Sequence, residues 1–145
     1  MTIENQQSRV VYTANGTSTA YTVPFPFLDA RHLVVSVGTG TIGSKDETLA
    51  YATDYTVTGA GAATGGKVTM TKAVAAGKKI AIRRAVPMTQ IMLYPEHDPF
   101  PAASHEAGLD KLTMIVQDLK DLAAQSTFLP PSSTGDAREV AAWME

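Results

Sequence analysis

"RVVYTANGTSTAYTVPFPF", residues 9–27, decides the fold class. "RVVYTA" alternates and is β-branched, which describes a half-buried strand. "TAYTVPF" does the same on the far side of "NGTS". Asn-Gly tolerates the positive φ angles of a tight turn, so the two runs are expected to pair as a hairpin. Pro24 and Pro26 end the second run, because neither can donate a ladder hydrogen bond.

The same pattern continues downstream. "HLVVSVG" is a strong strand, and its Leu33-Val34-Val35 core suggests partial cover on both faces. "DYTVTG", "KVTMT" and "KIAIRRAV" follow, with a short edge strand expected around residues 49–52 and a last one at "TQIMLY". Gly-rich or polar turns separate them. About seven short strands at even spacing predict a mainly β chain, an antiparallel β-sandwich or small barrel. Residues 1–8 are polar and are expected to be poorly anchored.

From Pro101 the period changes. Leu109, Leu112, Val116, Leu119 and Ala123 are spaced 3, 4, 3, 4, an a/d heptad seam on a helix. Met114, Ile115 and Leu122 widen the apolar surface. The domain reading is a β unit over 1–98, a helix over 99–126, and a linker with a short terminal segment over 127–145. In that segment Asp136 and Glu139 resemble a capping box, and Val140 and Trp143 share a helical face suited to docking a partner.

Composition narrows the function. The chain has 145 residues, enough for one domain with a real core. Charged residues make up 18%, below the roughly 25% of typical soluble domains, so some surface is expected to face something other than water. A formal net charge of −2 argues against a general nucleic-acid binder. No cysteine is present, so there is no thiolate metal site. No apolar run approaches the roughly 20 residues needed to span a bilayer, and "MTIENQQSRVVY" lacks the order of a signal peptide. Synthesis in a cytoplasm and no membrane partner are expected.

Three motifs invite chemistry. Ser104, His105 and Glu106 are consecutive, and successive helical residues point about 100° apart, so they cannot face one another as nucleophile and base. Glu96, His97 and Asp98 sit in a Pro-flanked loop with no second histidine at ligand spacing. "GAGAATGG", residues 59–66, resembles a phosphate loop but leads into a strand rather than a helix N-terminus, so a hairpin loop is expected. No enzyme activity and no cofactor are therefore expected. Alternation along "KIAIRRAV" points one of Arg83 and Arg84 inward, where an arginine usually anchors a carboxylate or carbonyl. The seam itself has two fates, packing on its own sandwich or meeting identical helices, and spacing alone leaves them even.

A resemblance separates them. "VVYTANGTSTAYTVPFPFLDARHLVVSV", "DYTVTG", "GGKVTMTKAVAAGKKIAIRR" and "PFPAASHEAGLDKLTMIVQDL" occur in the order found in the N-terminal domain of T7-type podovirus tail fibres. The resemblance covers about residues 9–125. It implies a structural protein of the virion tail: a homotrimer that anchors a fibre or tailspike to the tail's adaptor and nozzle proteins. The helix is similar to the start of a trimeric stem, with Leu109, Leu112, Val116, Leu119 and Ala123 at the oligomer interface. Such fibres run on for hundreds of residues, whereas this sequence stops at Glu145. The terminal segment favours an adaptor that hands attachment to a downstream fibre or tailspike, with Val140 and Trp143 docking it. The alternative is a carbohydrate-binding sandwich contacting host glycans, with Tyr12, Tyr21, Tyr51, Tyr55 and Tyr94 stacking on sugars.

Overall fold

A computed structural model of the chain describes residues 2–125 apart from 42, 43, 91, 94, 95, 97 and 98. Seven strands form two antiparallel sheets, followed by one long helix. In chain order they are β1 (Arg9–Thr13), β2 (Ala20–Val23), β3 (Leu33–Gly38), β4 (Glu47–Thr48), β5 (Tyr55–Thr58), β6 (Gly66–Met70) and β7 (Lys79–Arg84). The helix α1 spans Ala102–Gln125. One sheet has the order β1-β7-β3-β4 and the other β2-β6-β5.

The expected β1–β2 hairpin does not form. β1 pairs with β7, Val10 opposite Ile82, and β2 pairs with β6, Tyr21 opposite Val68. The Asn-Gly turn is a corner between sheets. Asn15 Oδ1 accepts from the backbone N–H groups of Thr17 (3.0 Å) and Ser18 (2.8 Å), so its side chain closes the turn that a cross-strand ladder would otherwise close. The strands stay neighbours through side chains: Tyr12 and Tyr21 lie 5.4 Å apart between ring centroids, and the Tyr12 hydroxyl donates to the Thr22 carbonyl.

Two further expectations move. The edge strand is Glu47–Thr48, pairing with β3, rather than 49–52. Thr89, Gln90, Met92 and Leu93 of "TQIMLY" are not in a strand. The Gly-rich stretch is a hairpin loop as read, with Thr58 opposite Lys67 at its base. Gly65 explains its glycines: φ is +87°, and a Cβ there would lie 2.0 Å from the Val23 carbonyl oxygen. Only a residue without a side chain lets the loop touch the end of β2.

Between the sheets, Val23, Phe25, Phe27, Leu33, Val35, Val68, Ile80 and Ile82 are fully buried. Alternation sets this. β3 buries Leu33, Val35 and Val37, and β7 buries Ile80, Ile82 and then Arg84. The "PFPF" motif adds both phenylalanines to the core. It also leaves the carbonyls of Pro24 and Pro26 free of any ladder, as acceptors for side chains from elsewhere.

Candidate functional site: a helix locked by its polar face

The inward row of β7 ends on an arginine that cannot be left without partners in a core. The Arg84 side chain is 0% exposed. Its Nε donates to Asp118 Oδ1 at 2.9 Å, one Nη to the Pro26 carbonyl at 2.7 Å and the other to Gln117 Oε1 at 2.6 Å. The guanidinium also lies 5.9 Å from the centre of the Phe25 ring. Asp118 Oδ2 accepts from the Val86 backbone N–H at 3.0 Å. The lock thus joins β7, the "PFPF" corner and α1. Burial pushes the Asp118 carboxyl above its ordinary range, opposed by the Val86 N–H and by Arg84. Of the two arginines, one of which was expected to anchor inward, Arg84 is the buried one and Arg83 is only half-buried.

Weaker contacts continue the lock along the helix. Gln117 Nε2 donates to the Asn5 carbonyl at 3.0 Å, and Asn5 Nδ2 to the Pro24 carbonyl at 2.7 Å. Arg9 pairs with Asp121 at 3.2 Å. Lys111 Nζ donates to the Thr89 carbonyl. Ser8 is buried, and its carbonyl accepts from the Arg84 backbone N–H. Asn5 and Ser8 are therefore anchored against β7, the proline corner and α1, contrary to the expectation from the polarity of this segment.

The helix is docked by the side opposite its seam. With Leu109 at heptad position a, its buried residues are Asp110 (b), Met114 (f) and Asp118 (c). Gln117 and Asp121, which join the lock, fall at b and f. Leu109, Leu112, Val116 and Leu119, at a and d, are 47–58% exposed, Leu122 at g is 43% exposed, and Ala123 is exposed. Within one chain the polar face is covered and the apolar face is open, the reverse of an ordinary surface helix.

Period could reveal the seam but not the lock. Gln117, Asp118 and Asp121 carry no periodic signal of their own, and Pro24 and Pro26 read only as strand breakers. The one signal was the inward arginine, which requires an anionic partner somewhere. Val140 and Trp143 lie outside the described residues, as do His97 and Asp98. Among the described residues no cluster of His, Asp and Glu is able to hold a metal ion. Of the tyrosines, Tyr21 and Tyr55 are core residues, the Tyr55 hydroxyl donating to the Leu33 carbonyl. Tyr12 packs on the core, Tyr51 sits edge-on to Tyr55, and Tyr94 is outside the described residues. Tyr21 and Tyr55 are thus too buried to stack on a ligand.

His32 sits beside the lock. Its Nδ1 is buried without a hydrogen-bond partner among the described residues. Burial lowers its pKa from the ordinary 6.5, with Lys111 helping and Asp29 and Asp118 opposing. A histidine pKa lowered by folding means that the unfolded chain binds more protons as pH falls below 6.5. Its contribution is present above pH 6.5 and lost as pH drops through the folded value. Wild type should lose more melting temperature between pH 7.5 and 5.5 than His32→Phe does; equal losses would refute this.

The chain is thus a β-sandwich joined to a helix whose heptad seam is exposed. Similarity to known proteins gives the family. The model of the phage T7 tail fibre protein N-terminal domain matches residues 2–98, about two thirds of the chain. The chain belongs to that family, and it is a structural component of a phage tail. It is also 36% identical over 120 residues to the tail spike protein of Salmonella phage epsilon15, a match covering 83% of this chain and 11% of that relative. The chain thus spans about a tenth of the relative's length. A stretch of 120 residues in 145 must contain residues 26–120, so most of α1 is shared along with the sandwich.

Proposed function

We propose that this chain anchors a tail fibre or tailspike to the virion tail as a homotrimer. The β-sandwich faces the tail's adaptor and nozzle proteins, and three parallel helices begin the stem through Leu109, Leu112, Val116, Leu119 and Ala123. One observation carries this reading: the polar side of α1 is bound to its own domain through Arg84 and Asp118, which leaves the heptad seam exposed. A 3-4 repeat matches an identical helix better than it matches a sheet. The work done is mechanical. Burial holds the three chains together, and three linked copies raise the effective concentration at the tail.

Residues 127–145 serve in this proposal as the segment that recruits a downstream fibre, through Val140 and Trp143. Adding purified chain to tail particles stripped of fibres tests the scheme. The full chain should bind in multiples of three and restore recruitment of the fibre. A chain lacking residues 130–145 should still bind the particles but fail to recruit. Failure of the full chain to bind would overturn the anchoring role, and loss of particle binding by the shortened chain would show that the terminal segment faces the tail instead.

A further inference from the structure

Beside the seam runs a groove of about 590 Å³, walled by Met88, Met92, Gly108, Leu112 and Ile115. A segment after β7 forms its outer wall and runs antiparallel to α1. Lys111 holds Thr89 at one end, and at the other Met92 lies against Gly108, where a Cβ would stand 3.1 Å from the methionine's terminal carbon. Gly108 and Ile115 are heptad g positions, so the groove follows the g flank. It shares Leu109 and Leu112 with the seam. Met88 at its lip is 72% exposed.

Resting on the trimer reading above, we propose that this groove is a second half of the subunit interface, filled by the neighbouring copy's helix. In parallel coiled coils the e and g positions flank the seam and pair between neighbouring helices. Position e carries Glu106, Thr113 and Lys120, and Thr113 folds its hydroxyl back onto the Leu109 carbonyl, leaving its methyl group for the neighbour. Any copy seated on Leu109 and Leu112 therefore lies over the mouth of the groove. The chain's own terminal segment is worse placed, because α1 runs at least to Gln125, about 15 Å beyond Ile115, and the segment would have to run back over the seam. Each sandwich thus grips the next chain's stem, so that the anchor is part of the trimer rather than a passenger on it.

The chain has no cysteine, which makes cross-linking unambiguous. Met88 lines the groove together with Leu112 and Ile115, so the proposal sets it beside Thr113 of the neighbour, while Thr113 of the same chain lies on the opposite flank of the seam. Met88→Cys with Thr113→Cys, treated with a short bis-maleimide, should give covalent dimers and trimers. Met88→Cys with Lys120→Cys, one heptad on and about 10 Å along the helix, should not. Leu112→Cys alone reports the seam by pairing two chains at the axis. If Leu112→Cys pairs but the 88–113 pair does not link, or links only within one chain, the groove proposal fails and the stem survives. If neither links, both fall.

Discussion

Leu112→Asp combined with Leu119→Asp should turn the proposed trimer into monomers while leaving the β-sheet circular dichroism unchanged. Both leucines are about half exposed in the single chain, at 57% and 47%. A carboxylate at either position stays in water when the protein is monomeric, so the fold loses little. The trimer loses much. Finishing the burial of a half-exposed leucine stabilises by about 1 kcal/mol, half of the usual 1.5–3 kcal/mol for a whole side chain. Six leucines then contribute roughly 6 kcal/mol, about 10⁴-fold in the association constant at 1.4 kcal/mol per decade. Three carboxylates facing one axis in each of two layers add a desolvation cost on top. Sedimentation equilibrium reads the outcome directly. An unchanged stoichiometry would end the stem hypothesis, and loss of the sheet signal would show instead that the seam packs on its own domain.

The contrast between the seam and the lock shows what a single sequence makes legible. Leu109, Leu112, Val116 and Leu119 are visible because a helix repeats locally, and the period survives whatever the helix packs on. The strands are visible for the same reason, and "HLVVSVG" and "KIAIRRAV" hold their alternation along β3 and β7. Pairing is not local. Val10 meets Ile82 across the sheet, and nothing in "NGTS" distinguishes a hairpin turn from a sandwich corner, because Asn15 closes either with its side chain. The lock is the hardest case. One inward arginine of the pair Arg83 and Arg84 was readable, but Asp118 is one of several acidic residues on a face that looks solvated. Only the three-dimensional approach of β7, the proline corner and α1 selects it.

Arg84→Met should cost about 3–5 kcal/mol of folding stability, the usual penalty for removing one partner of a buried ion pair. The substitution strips Asp118 of its counter-ion and leaves it the Val86 N–H as a donor. It also leaves the Pro26 carbonyl and Gln117 without their donor. The measurement belongs in the Leu112→Asp, Leu119→Asp background, where unfolding does not depend on chain concentration. The deficit should vary with pH in a defined sense. Burial already holds the Asp118 carboxyl up, and Arg84 is one of the groups opposing it. Without the arginine the folded chain keeps the carboxyl proton to a higher pH than the unfolded chain does. That contribution is present below the ordinary carboxylate pKa and is lost as pH rises through the folded value. The deficit against the parent should therefore be smaller at pH 4.5 than at pH 7. Adding Asp118→Leu removes the stranded charge and should recover much of the loss at pH 7, since apolar pairs commonly replace buried ion pairs at little cost. A deficit under about 1 kcal/mol, or one unaffected by pH and by Asp118→Leu, would mean that the pair does not hold the helix. The orientation of the seam would then have to come from the buried Met114 and from the shallower contacts of Arg9, Asn5 and Lys111.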